Sequence, residues 1–266
     1  MPVLLIKCIS SIVLIFWLKL TYADSVTVLG DDSHGSVVKE VSVGLGNFEP
    51  HFNKNHESGL FVELISETFK LIPDYSVKYV LGLSNYRLVD LLNSGDIDAA
   101  ANIFTDHKIE GFKSDFIFRF RDVAVSLKEK GHVINKVPDL KGKNIVTYQG
   151  AKLFLGQAFS EAVSDEHIYE TPSPESQVNM LLAGRVDVSI GDIYIFLHSV
   201  KQISQGEVTP EDLSIAYLFP DIYSHMGFKD KKIRDDFNVA LRQIKKNGTF
   251  ERVYSEYLKS LGYSAD

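Results

Sequence analysis

The chain has 266 residues, enough for two α/β halves of roughly 100 residues each and too many for one small core. Its 28 Lys plus Arg against 35 Asp plus Glu give a formal net charge of -7, which disfavours a nucleic-acid or anionic-membrane surface. Hydrophobic content of 45% with 24% charged residues excludes a disordered or fibrous chain.

At the N-terminus, Lys7 precedes an apolar run over residues 8–18, too short to span a bilayer, and Thr21 and Ala23 stand just before Asp24. This predicts a secretory leader over residues 1–23, cleaved after Ala23, which removes the only cysteine, Cys8. The exported chain then needs no disulfide.

Strand-like and helix-like segments alternate from there on, the pattern of parallel α/β units. Residues 41–45 alternate with period two and predict a strand. Leu60, Phe61, Leu64, Ile65, Phe69 and Ile72 recur at helical spacing before Pro73, which predicts a helix over 59–72. A strand over 77–81, a helix stopped by Gly95 and a buried strand over 97–103 complete one β-α-β-α-β unit. A second unit follows: strand 145–148, helix 153–163, strand 168–170, helix 175–183 capped by Ser173 with Pro174 at its first position, and strand 186–190.

Leu91 to Asp98 in the first unit matches Leu181 to Asp187 in the second: a helix end, a glycine, then Asp opening a buried strand. Two copies of one design are expected. Extended segments over 123–128 and 225–229 are the expected crossovers between them, and Arg119 and Arg121, alternating with Phe118 and Phe120, read as an exposed strand face. A helix over 231–246, a break at Asn247-Gly248 and a last helix over 250–258, capped by Thr249, close the chain.

Several motifs now stand in a fixed order: Phe48-Glu49-Pro50-His51-Phe52, Gly59 to Leu64, Leu92 to Asp98, Asp139 to Ile145, Leu182 to Asp187 with Asp192 beyond, and Lys246 to Phe250. In this order and spacing the chain resembles the extracellular solute-binding proteins of family 3, the type II periplasmic fold of polar amino-acid importers. The resemblance implies an α/β protein of two lobes, 24–123 with 224–266 and 124–223, hinged on two crossover strands. It further implies capture of a small polar solute, an amino acid or a related compound, between the closing lobes. Delivery to the membrane permease of an ABC importer follows, or presentation to a membrane sensor. A dehydratase-like enzyme on the same fold is a third possibility.

Open α/β sheets bind solutes at the carboxyl ends of their strands. With the family pattern, this makes Phe48, Phe52, Asn102, Thr105, Lys108, Gly150, Ala151 and Asp192 the candidate ligand contacts. The chain departs from that pattern where Thr105-Asp106-His107-Lys108 puts a lysine at the carboxylate-holding arginine; Lys108 offers charge without the planar fork. Asp192 has two readings, ammonium partner or cap of the helix at Ile193. No nucleophile elbow, His-Glu-x-x-His or phosphate loop is present, and the histidines fall singly. The expectation is a periplasmic, monomeric binding protein, not an enzyme, with no cofactor, no metal and no nucleic-acid partner.

Overall fold

The computed structural model describes residues 38–264, and the leader expected over 1–23 lies outside them. The chain begins with β1 (Lys39–Gly44), α1 (Leu60–Phe69), β2 (Tyr75–Val80), α2 (Asn85–Ser94) and β3 (Ala99–Ile103). β1 pairs in parallel with both β2 and β3. α1 is shorter than its periodicity predicts, because residues 70–72 turn ahead of Pro73. α2 is capped by the Ser84 hydroxyl, which accepts the Arg87 amide, and stops at Gly95 in the left-handed conformation.

The expected crossovers are corrected here. Residues 112–120 form a long strand, β4 (Phe112–Phe120), and the segment read as the first crossover is an inner strand of a second sheet, β5 (Asp122–Leu127). The chain changes sheets between Phe120 and Asp122.

Beyond it come β6 (Ile145–Thr147), α3 (Ala151–Phe154), α4 (Gln157–Ala162), β7 (Ile168–Glu170), α5 (Pro174–Leu182), β8 (Val188–Asp192), α6 (Ile193–Ser204) and β9 (Leu213–Ala216). The single helix expected over 153–163 is two, because Gly156 takes φ +86° and breaks it. The return connection is residues 217–221, and the segment read as the second crossover belongs to β10 (Ile222–Phe228), again an inner strand. α7 (Lys231–Lys246) matches its periodicity. α8 (Thr249–Ser260) is preceded by Gly248 at the cap, so Thr249 is its first residue rather than its cap.

Each sheet has five strands, ordered β2-β1-β3-β10-β4 and β7-β6-β8-β5-β9. Both set a parallel trio beside an antiparallel pair, so the internal echo is a topological repeat. Its small print repeats as well: the Asp98 carboxylate accepts the Ser42 amide at 2.8 Å, and the Asp187 carboxylate accepts the Asn144 amide at 2.8 Å. In each case the Asp fastens the start of its strand to its parallel neighbour.

α2 covers one face of the first sheet through Leu88, Leu92 and Ile103. The other face carries α1, α7 and α8, with Phe61, Phe118, Phe237 and Tyr254 buried in a core that also takes in Ile193, Tyr194 and Phe196 of α6. One core thus joins both sheets, and burying each of its phenylalanines contributes about 1.5–3 kcal/mol. α3 and α4 close the far face of the second sheet around Leu140, Leu155 and Phe159. No helix among the described residues is long and apolar enough to cross a membrane.

Candidate ligand site at the strand ends

Phe120, Arg121 and Asp122 carry the chain from one sheet to the other, and the segments at the carboxyl ends of β1, β3, β6 and β8 converge on them. The Phe120 ring lies 5.8 Å from Phe104 after β3, 6.3 Å from Phe48 after β1 and 5.3 Å from His51 beyond it. The Asp122 carboxylate accepts the Tyr148 hydroxyl, just after β6, at 2.7 Å. Across the antiparallel ladder Asp122 directly opposes Asp192, the last residue of β8.

Asp192 is a cap first. Its Oδ1 accepts the amides of Tyr194 at 3.0 Å and Ile195 at 3.1 Å, and its Oδ2 accepts the Arg121 amide at 2.8 Å. The start of α6 and the sheet connection are therefore fastened to one carboxylate, which the helix N-terminus stabilises. The His51 Nε2 lies 3.3 Å from its Oδ1. His51 is fully buried and stacked on Phe61 at 4.0 Å, and neither ring nitrogen makes a well-aligned hydrogen bond. Gly59, at φ +134°, holds that loop: a Cβ there would stand 2.4 Å from the His51 carbonyl oxygen.

Asp122 is 4% exposed. Burial pushes its carboxyl up to about 7; the Tyr148 hydrogen bond pulls the other way, and the Asp192 charge adds to the rise. Nearby arginines do not neutralise it. Arg121 donates from Nε and Nη2 to the two oxygens of Asp221, both at 2.7 Å, a bidentate pair that holds its guanidinium charged and ties the two sheet connections together. Arg119 bonds both oxygens of Glu251 and lies 4.2 Å over the Tyr254 ring. The exposed strand face expected for these arginines is not found: Arg119 is 6% exposed, because α8 folds over it, and Arg121 is half-buried in the connection between β4 and β5.

After β3, Lys113 donates to the carbonyls of Thr105 and His107, both at 2.7 Å, and fixes that loop. His225 donates from Nδ1 to the Ser114 carbonyl at 2.7 Å, which leaves Nε2 to accept the Thr105 hydroxyl at 3.3 Å. Burial, with Lys113 nearby, lowers its pKa, in keeping with that neutral tautomer.

The candidate contacts divide accordingly. Phe48 stands half-buried beside Phe120, and Thr105 and Lys108 are exposed on the Lys113-fixed loop. The Lys108 ammonium has no ion pair or hydrogen bond among the described residues. Gly150 heads α3 and gives its amide to Glu170 at 3.1 Å. Phe52 and Ala151 are fully buried, Phe52 behind Phe48 at 5.2 Å. Asn102, at φ +58°, is spent on Ser224, whose hydroxyl donates to it at 2.8 Å. Sequence reading missed His51, Phe120, Asp122 and Tyr148. A histidine directly after Pro50 in an aromatic motif was the available signal; Asp122 gave none, since it read as the flank of a crossover.

No protein-family model matches the chain. The L-cystine-binding protein TcyK of Bacillus subtilis is 26% identical over 242 residues, 83% of this chain and 84% of that one. Among solved structures, the second substrate-binding domain of a putative amino-acid ABC transporter from Streptococcus pneumoniae superposes with a TM-score of 0.65 at 20% identity, covering 83% of this chain and all of that one (100%). A histidine kinase sensor domain with similarity to periplasmic binding proteins gives a TM-score of 0.58 at 17% identity, over 84% and 97% of the two chains. The two structures share the fold, whether the scaffold serves transport or sensing.

Proposed function

We infer that this chain is an extracellular solute-binding protein of family 3, which captures an amino acid or a close relative of one and delivers it to an ABC permease. The observation that carries the reading is the convergence of strand ends from both sheets on Phe120–Asp122, where a ligand reaches both halves at once. Phe48, Thr105, Lys108, Gly150 and Asp192 surround it, while Phe52, Asn102 and Ala151 support that surface from behind. The halves divide at the connections 120–122 and 217–221, a few residues before the boundaries expected at 123/124 and 223/224, and close about them, and contacts to both select the closed state. The L-cystine-binding protein TcyK, matched over most of its length, supports an amino acid as the ligand class. Export through the leader to the periplasm and action as a monomer complete the proposal.

A thermal-shift panel of amino acids tests it. A true ligand at 100 times its Kd stabilises the folded chain by about 2.7 kcal/mol. The reading requires at least one member to raise the melting temperature in a saturable way; a panel without a shift contradicts it.

A further inference from the structure

We propose that Asp122, oriented by Tyr148, is the specificity-determining residue of this site and selects a ligand of net positive charge, of the basic amino-acid class. The proposal rests on the capture reading above and names its substrate.

The two carboxylates that meet across the β5–β8 ladder are in different states. Asp192 has the amides of Tyr194, Ile195 and Arg121 and the His51 ring around it. Asp122 has the Tyr148 hydroxyl on Oδ2, and among the described residues no protein donor reaches Oδ1. A carboxyl this buried stays ionised only with a cation beside it and otherwise takes up a proton. The groups facing it supply none: Tyr148, just after β6, is neutral, Asp192 on β8 is an anion, and Arg121, its chain neighbour, is engaged with Asp221. The fully buried His51 ring lies against Asp192, with its Nε2 3.3 Å from Oδ1 and no aligned hydrogen bond. Tyr148 is half-buried at the head of the α3 loop, where it borders the expected ligand, and Gly191 keeps the space beside its ring open, the nearest Tyr148 atom being 3.9 Å from where a Cβ would stand. An ammonium or guanidinium beside Asp122 completes its hydrogen bonding, keeps it ionised despite a carboxyl pushed up to about 7, and offsets the Asp192 charge.

Isothermal titration of the purified protein with L-arginine, L-lysine, L-glutamine and L-glutamate decides it. The wild type binds arginine or lysine more tightly than glutamine or glutamate. Asp122→Asn, which keeps shape and the Tyr148 bond, weakens the basic ligand by about 30-fold or more and leaves any glutamine binding unchanged or tighter. Tyr148→Phe weakens the basic ligand less. Wild-type affinity for the basic ligand falls from pH 8 to pH 5.5, by up to about tenfold per pH unit below 7, and the Asp122→Asn profile is flatter. Preference for glutamine or glutamate, or unchanged arginine affinity in Asp122→Asn, overturns the assignment and leaves amino-acid capture standing. No binding of any amino acid by the wild type overturns the capture reading itself, and this one with it.

Discussion

The His51 imidazole, carried by the loop after β1, lies 3.3 Å from the Asp192 carboxylate at the end of β8, so the two halves of the chain touch through a buried polar pair. The pair is poorly satisfied, since neither His51 nitrogen makes an aligned hydrogen bond. A phenylalanine would keep the stack on Phe61. His51→Phe is therefore expected to leave stability unchanged or raise it by about 1 kcal/mol, the cost of a buried unsatisfied group being removed. An unfolding free energy from chemical denaturation lowered by several kcal/mol would instead make the His51–Asp192 contact a net stabilising ion pair.

Asp192 gives the opposite expectation. Asp192→Ala strips the cap from α6 and orphans the Arg121 amide, which together cost about 2–3 kcal/mol. Asp192→Asn keeps an acceptor and loses less. Urea unfolding of both variants checks the order; equal losses would show that the charge, not the cap, matters.

The Asp122 carboxyl has a folded value raised to about 7 from an ordinary one near 3.8. Below the ordinary value its protonated form contributes full stability, and that contribution is lost as pH rises through 7. Wild-type stability should thus decline relative to Asp122→Asn between about pH 4 and pH 7, at up to roughly 1.4 kcal/mol per unit. Parallel melting curves of the two proteins across this range would contradict the burial of an unpaired acid.

Arg121 and Asp221 work in the acid window. The Arg121 fork holds the Asp221 carboxyl below its usual range, so the stability it contributes is present above that range and lost as pH falls through the lowered value. Asp221→Asn should melt earlier than wild type near neutrality, and the two should converge in acid. A difference that persists at low pH would point to packing rather than to the ion pair.

The fold was legible where the sequence had periodicity and punctuation. Leu91 to Asp98 and Leu181 to Asp187 announced the repeat, and the Asp98 and Asp187 bonds show what the motif does. The connections were misplaced because Phe112 to Phe120, an aromatic strand carrying Lys113, Asp115 and Arg119, resembles no simple alternation. The burial of Arg119 depends on Glu251 and Tyr254, more than a hundred residues away, which local pattern cannot reach. In the proposed site, strand-end logic points to Thr105 and Gly150 and the family pattern to Phe48, but neither reaches Asp122 or Tyr148, whose pairing comes only with the register of the second sheet. Phe52, after β1, and Ala151, the first residue of α3, are fully buried because backbone direction turns them inward.

The central claim is capture between halves that close, and small-angle X-ray scattering tests it most directly. The amino acid giving the largest melting shift is added at saturation, and the radius of gyration is compared with that of the free protein. The account predicts a smaller radius with ligand, reversed on dialysis. An unchanged scattering curve under saturation would contradict closure about the connections at 120–122 and 217–221.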